Sequence, residues 1–325
     1  MSMISLAIDG NYILNRNVFS LQKDRLLYGL LQDTLESHIN KYSTWFPFDN
    51  IYLISDSKSN WRKNIYPEYK SKRTKSGDID WDFVYSVYNE YKENIPKRIK
   101  LLEVDRVEGD DWFKYLADYH NKKEESLLVI SNDGDLTQLM RYGKNYMNIM
   151  VNENSMTNKV FLPEGYQNWM YNFNSNIPIP GLFDDTGSLQ LNLYKFIKNL
   201  IDERSIESVN PNNVIFKKII SGDKSDNIIT IWGKKDINGT LRGIGEKGSQ
   251  KMYEKYVEYF GEVNRFDEEC IDRIVDLVIE TKKLKSDEFS KIKNNANLNN
   301  NLVNLNKIPK NIMKLIKEEH ERAIS

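Results

Sequence analysis

A single cysteine, Cys270, and three widely separated histidines, His38, His120 and His320, are all that 325 residues offer to soft-metal or redox chemistry. An internal disulfide is excluded, and no zinc-type spacing of these residues is present. Long apolar runs are missing too. None approaches the ~20 residues of a membrane span, and the opening MSMISLAIDG has neither the basic start nor the cleavage region of a signal peptide. The chain is therefore expected to be soluble, not exported and cytoplasmic, and any metal must be held by carboxylates. An excess of one charge is also lacking, with 46 Lys+Arg against 47 Asp+Glu. Spread evenly, that balance would argue against a nucleic-acid partner.

The charge is not spread evenly. Between residues 58 and 75 stand Lys58, Arg62, Lys63, Lys70, Lys72, Arg73 and Lys75 against one acid, Glu68. A basic segment beside an acidic site suits a metal-dependent nuclease, which attracts phosphate while concentrating carboxylates for cations. The remaining composition, 40% hydrophobic and 12% aromatic, is that of a globular chain with a sizeable core. Its length favours one large domain or two interlocked ones.

Residues 3–9 read as an apolar strand ending at Asp9, with Gly10 and Asn11 as a turn. A helix follows, with Leu27, Leu30, Leu31, Leu35 and Ile39 as its buried stripe and Ser20 as its cap. Further strands are predicted at Ile51–Ser55, near Ile99–Val104, at Leu127–Ser131 and at residues 146–151, with a helix over Glu108–His120. This alternation predicts an α/β fold, a mostly parallel central sheet flanked by helices. After Pro163 an aromatic stretch carrying Pro178 and Pro180 leads into a mostly helical half, and the asparagine-rich segment 294–306 reads as a polar loop.

Ligands of parallel sheets gather at the carboxyl ends of the strands. Asp9, Asp56, Asp133 and Asp135 directly follow predicted strands; Glu108, Asp110 and Asp111 open a helix; Asp223 and Asp226 repeat the i, i+3 spacing at an expected helix start. A lone Asp after a strand is ordinarily a turn or cap residue, and Asp111 reads equally as a helix cap or as an orienter of water. Five acidic clusters at such positions favour the metal reading: nine converging carboxylates would repel one another unless cations neutralised them. Oxygen-only ligands suit magnesium, with manganese as a substitute, and their number suits two ions.

Taken in chain order, AIDGN around Asp9, SDSKSNWRKNIYPEYKSKR from Ser55 to Arg73, EGDD from Glu108, SNDGDLTQL from Ser131 and GDKSDN from Gly222 form a series. This series resembles the flap endonuclease or 5′-nuclease family, especially the T-even bacteriophage ribonuclease H and related phage exonucleases. The resemblance implies a PIN-like nuclease core over residues 1–165, with a helical arch at about 58–96. A mostly helical region over 166–325 would then carry a helix–three-turn–helix duplex-binding element at about 214–260. It implies that Asp9, Asp56, Glu108, Asp110, Asp111 and Asp133 surround one ion, with Asp135, Asp223 and Asp226 near a second.

The same resemblance makes Lys70, Arg73 and Arg62 candidates to contact the scissile phosphate, and Lys63, Tyr69 and Lys72 candidates to bind nucleic acid. Trp61 reads as a stacking platform or as buried packing. In RGIGEKGSQKMYEKY, Arg242 to Tyr256, Gly243, Gly245 and Lys247 would approach duplex phosphate, and in the family this element can also hold a monovalent cation. Residues Trp232 to Thr240 lengthen the link before it. The implied activity is metal-dependent 5′ to 3′ exonuclease or flap endonuclease cleavage, of the primer-removing ribonuclease H type. It would give 5′-phosphate products in DNA replication or repair, with DNA and RNA–DNA substrates.

The rival readings are a general phage DNA exonuclease, a catalytically inactive structure-specific DNA-binding protein and a toxin-like ribonuclease. The last is disfavoured because such domains lack an arch and a duplex clamp. Residues Ile308–Ser325 read as an amphipathic helix packed on the core, or as a docking tail for a sliding clamp or single-strand-binding protein. A monomer of phage origin acting in a bacterial cytoplasm is expected.

Overall fold

Strands buried on both faces read as unbroken apolar runs, and Ile4–Asp9 and Ser126–Ile130 are such runs, paired in parallel at the centre of a seven-stranded sheet. The computed structural model describes residues 4–21, 30–73, 79–154, 157–176, 189–235 and 241–325. The chain divides into two units. The first comprises Met1–Asn60, Lys75–Val209 and Lys310–Ser325; the second comprises Trp61–Thr74 and Asn210–Pro309.

In chain order the elements are β1 (Ile4–Asp9), α1 (Gly10–Leu21), α2 (Leu31–Ser43), β2 (Asn50–Ile54), the short α3 (Arg62–Ile65) of the second unit, α4 (Trp81–Glu93), β3 (Ile99–Leu102) and α5 (Gly109–Asn121). Then come β4 (Ser126–Ile130), β5 (Ile149–Glu153), β6 (Asn158–Pro163), α6 (Tyr166–Asn176), α7 (Leu189–Asp202) and β7 (Ser205–Val209). The sheet order is β3-β2-β1-β4-β5-β6-β7; the first five strands are parallel, β6 runs antiparallel to β5, and β7 parallel to β6. The order reverses between β1 and β4, the switch point beside which such sheets leave a crevice at the carboxyl edge.

Three local expectations change. Gly10 opens α1 instead of making a turn, because the Asp9 carboxylate accepts the Tyr12 amide at 2.9 Å and so starts the helix itself. Only glycine fits at position 10, where a Cβ would lie 2.0 Å from the Tyr88 hydroxyl and 2.8 Å from the Ile54 carbonyl oxygen. Ser20 lies inside α1, so it caps nothing; Leu31, Leu35 and Ile39 are buried as the stripe requires, whereas Leu30, at the N-cap of α2, is exposed, and Leu27 lies outside the described residues. Two strands beyond those expected extend the sheet: β6, which ends at Pro163, and β7, which lies in the half read as mostly helical. The mostly exposed β7 follows Arg204, whose Nε donates to buried Glu153 at 3.1 Å, while Lys41 reaches the same carboxylate at 2.7 Å.

The second unit is built on α8 (Pro211–Ser221), a two-stranded ribbon of β8 (Gly233–Lys235) and β9 (Leu241–Gly243), α9 (Glu246–Phe260), α10 (Glu268–Lys282) and α11 (Phe289–Val303). The ribbon accounts for the longer link seen in the sequence. Helix α11 contains most of the asparagine-rich segment expected as a loop. Its asparagines act as donors: Asn299 Nδ2 donates to the Ile219 and Ile229 carbonyls, both at 2.8 Å, Asn300 to Phe266 at 3.2 Å and Asn295 to Ile231 at 3.1 Å. Ile292, Ala296 and Leu302 bury the apolar side of the same helix. Tertiary bonding thus overrides asparagine's weak helix preference.

The chain ends with α12 (Lys310–Ile324) in the first unit, burying Ile312, Ile316 and His320. The ring nitrogens of His320 lie 3.2 Å from the Tyr115 hydroxyl and 3.3 Å from the Tyr52 hydroxyl. Among the described residues, no helix is long and apolar enough to cross a membrane.

Replacing Asn299 by alanine leaves the buried Ile219 carbonyl and the partly buried Ile229 carbonyl without their shared donor and is expected to cost about 2–4 kcal/mol. Asn294→Ala, on the exposed side of α11, should be neutral or stabilise by a few tenths of a kcal/mol through helix preference. Urea denaturation of both variants measures the contrast.

Candidate active site

Sheet register decides which acids meet. Ile8 pairs with Ile130, so Asp9 at the end of β1 stands beside Ser131; Asp9 pairs with Ile54, so Asp56 extends two residues beyond on the β2 side. The Ser131 hydroxyl donates to Asp9 Oδ2 at 2.7 Å and accepts the Asp133 amide at 3.1 Å. Asp133 then accepts the Asp135 amide at 2.8 Å and caps a 3-10 turn over Gly134–Leu139. One hydroxyl therefore ties the acidic ends of β1 and β4 together. Sequence reasoning passed over Ser131, although its place directly after a strand and two before Asp133 was the available signal.

On the other side of Asp9, the exposed Asp56 accepts the Gly109 amide at 2.6 Å. A Cβ on residue 109 would come within 3.1 Å of that carboxylate, so the glycine of EGDD admits the approach. Gly109 is the second residue that the sequence reading missed. Glu108 and Asp111 form a capping box at the start of α5, Asp111 accepting the Glu108 amide at 3.2 Å; both are buried, and Asp110 between them is half-buried. The capping role considered for Asp111 is the contact observed.

Asp9 records its burial. Burial foremost, with the charges of Asp56 and Asp133 adding to it, raises the carboxyl from 3.8 to about 7 despite hydrogen bonds from Ser131 and the Tyr12 amide, which pull the other way. Among the described residues, no group of three or more His, Cys, Asp or Glu side chains is already drawn together as a metal cage. The donor set nevertheless fits a hard divalent cation: oxygen ligands only, on strand ends whose charges oppose one another.

The second unit is arranged differently. Gly222, at φ +68°, ends α8, and Asp223 enters a turn instead of the expected helix start: its amide and carbonyl pair with Ile228, and its carboxylate accepts the amides of Ser225 at 2.8 Å and Asp226 at 3.3 Å. Burial works against the charge of Asp223, but hydrogen bonds from Lys218 and Ser225 outweigh it and hold the carboxyl down at about 2. Asp226 is buried; it pairs with Arg73 and accepts from the Tyr69 hydroxyl at 3.0 Å.

Of the other candidates, Tyr69 is buried, Lys70 half-buried, and Lys63 and Lys72 exposed. Trp61 is buried with the Arg62 guanidinium 4.5 Å from its ring centre, and Arg62 Nε donates to the Leu302 carbonyl at 3.0 Å. Gly243 ends β9, where a Cβ would strike the Thr230 side chain at 2.0 Å; Gly245 caps α9 with open space around it, and Lys247 is exposed in the first turn.

The sequence profile of the family described as "5′-3′ exonuclease, N-terminal resolvase-like domain" matches residues 5–166. A 5′-3′ exonuclease of Buchnera aphidicola (subsp. Schizaphis graminum) is 27% identical over 215 residues, which are 60% of this chain and 72% of that protein. The ribonuclease H of Enterobacteria phage T4 is 27% identical over 121 residues, 35% of this chain and 39% of that one. Among solved structures, T5 5′-exonuclease with bound divalent metal ions (zinc) aligns over 98% of this chain and 99% of its own, at 17% identity and a TM-score of 0.57. The bacteriophage T5 flap endonuclease complexed with DNA and metal ions aligns over 99% and 100%, at 16% identity and a TM-score of 0.56. These two share the fold.

Because folding raises the proton affinity of Asp9, its contribution to stability is fully present below about pH 4 and lost as pH rises through 7. In metal-free protein at pH 8, Asp9→Asn should therefore stabilise by roughly 2 kcal/mol or more, since a tenfold change in proton affinity is equivalent to about 1.4 kcal/mol. Near pH 4 the substitution should have little effect. Thermal melts at the two pH values, with chelator present, test this.

Proposed function

The chain belongs to the 5′-nuclease family, and we propose that it is a divalent-metal-dependent phosphodiester hydrolase acting at 5′ ends and flaps of DNA and RNA–DNA duplexes. The observation that carries this reading is the acidic edge at the switch point, where Asp9, Asp56 and Asp133 come from three adjacent strands and Glu108–Asp111 from the end of a fourth. In this reading Asp9, Asp56, Glu108, Asp110, Asp111 and Asp133 would hold one ion, and Asp135 would help to hold another. Bound magnesium, or manganese in its place, supplies a water of lowered pKa and offsets charge on the leaving 3′ oxygen.

The protein's own residues do the rest. Ser131 and the Tyr12 amide fix the Asp9 carboxylate, and the Gly109 amide fixes Asp56. Lys70 and Arg73 bind substrate phosphate, and Lys63 and Lys72 add charge along the strand. Gly243, Gly245 and Lys247 hold duplex phosphate at the start of α9, where backbone amides point outward. Unstacking the nucleotide to be cut costs a few kcal/mol, which favours junctions already disrupted over intact duplex. Specificity then follows structure and not base sequence, and the products carry 5′-phosphate and 3′-hydroxyl ends. Removal of primers and displaced flaps during replication or repair in the cytoplasm is the task such an activity serves.

Cleavage of 5′-labelled flap, nicked-duplex and RNA-primed DNA with magnesium, comparing wild type with Asp133→Asn, tests the reading. Wild type should release 5′ fragments; the variant should retain binding and lose at least about a hundredfold in rate. Junction binding without cleavage by wild type, in magnesium or manganese, would instead make this an inactive structure-specific DNA-binding protein.

A further inference from the structure

We infer that Asn227 is a positioning residue, which fixes Lys70 for contact with a substrate phosphate by clamping the turn at residues 68–73 onto the turn at residues 223–228. Both turns belong to the second unit, and each has a non-glycine residue in the left-handed region, Lys70 at φ +57° and Asn227 at φ +58°. Asparagine tolerates that conformation; lysine does so rarely. A glycine at position 70 would meet the backbone demand more easily, so what the lysine adds there is its ammonium group.

The bonds that hold residue 70 in this conformation come from the facing turn. The Lys70 amide donates to the Asp226 carbonyl at 2.8 Å. The left-handed twist at Asn227 turns its side-chain amide back across the gap, where Nδ2 donates to the Glu68 carbonyl at 2.9 Å and to Ser71 Oγ at 3.1 Å. These two acceptors flank Lys70 in sequence, so a single amide grips the turn before and after it. Tyr69 is pinned by its hydroxyl to Asp226, and the Lys70 ammonium lies 5.0 Å from the centre of the Tyr69 ring. The 223–228 turn is itself rigid, closed by the Asp223–Ile228 pair and by the Asp223 carboxylate on two amides. A strained residue persists where its surroundings over-determine it, and such residues gather where geometry serves function.

The inference rests on the reading of Lys70 as a phosphate contact, and the test separates the two. Full-length wild type, Asn227→Gly and Asn227→Asp are compared by hydrogen–deuterium exchange and by cleavage of a 5′-labelled flap with magnesium. Glycine keeps the left-handed backbone without the amide, and aspartate keeps the shape but has no donor. Both variants should exchange the amides of residues 68–73 about tenfold faster or more, with α8 and α11 unchanged, and both should lose about tenfold in kcat. In a Lys70→Ala background the same substitutions should add less than about twofold, as expected of a residue acting through Lys70. Unchanged exchange at 68–73, exchange raised throughout the second unit, or full additivity with Lys70→Ala would overturn the inference. If wild type cuts no substrate, the nuclease reading fails, and the exchange comparison still decides whether Asn227 holds the turn.

Discussion

A carboxylate held in a packed interior resists ionisation, and the acidic edge of the first unit is organised around the burial of Asp9, to which the charges of Asp56 and Asp133 add. Asp9 ends β1 between β2 and β4, and the fold answers with neutral donors: the Ser131 hydroxyl, the Tyr12 amide and the Gly109 amide on its neighbour Asp56. None of these cancels a charge, and burial first, then the charges of Asp56 and Asp133, raises the Asp9 carboxyl to about 7, so that a proton near neutrality is the remaining accommodation. A bound cation would supply a stronger one. The cost of the arrangement is carried by the packed interior beneath it, where Ile4, Leu6, Ile8, Leu128 and Ile130 are fully buried.

The second unit solves a different problem, that of buried backbone carbonyls between helices. Asparagine is the recurrent answer. Asn299 and Asn300 in α11 donate to carbonyls outside their own helix, Asn210 caps α8, and Asn227 ties two turns together. The side-chain amide has two donors and one acceptor oxygen, enough to join separate segments without bringing a charge indoors. Acidic residues in this unit are instead matched with cations, Asp223 with Lys218 and Asp226 with Arg73.

Much of this was legible from local signals. Five parallel strands were marked by apolar runs, and the acids of the crevice by their place just after them, because both depend only on residues near in sequence. The capping role of Asp111 was readable from EGDD at a helix start. Less legible were β6, the mostly exposed edge strand β7, and the β8–β9 ribbon. The asparagine-rich helix was misread because its donors are satisfied by partners some 30 to 80 residues away.

The amino-acid sequence alone therefore determined the α/β alternation, the choice of carboxylates for any metal chemistry and the family to which the series of motifs points. Tertiary structure alone decided that Ser131 links Asp9 to Asp133, that Gly109 admits Asp56, that Tyr69 is turned inward onto Asp226, and that Asn227 grips the turn bearing Lys70. The physical reason is range. Periodicity and capping are written within a few residues, whereas strand register and the satisfaction of buried polar groups depend on partners that only the folded chain brings within hydrogen-bonding distance.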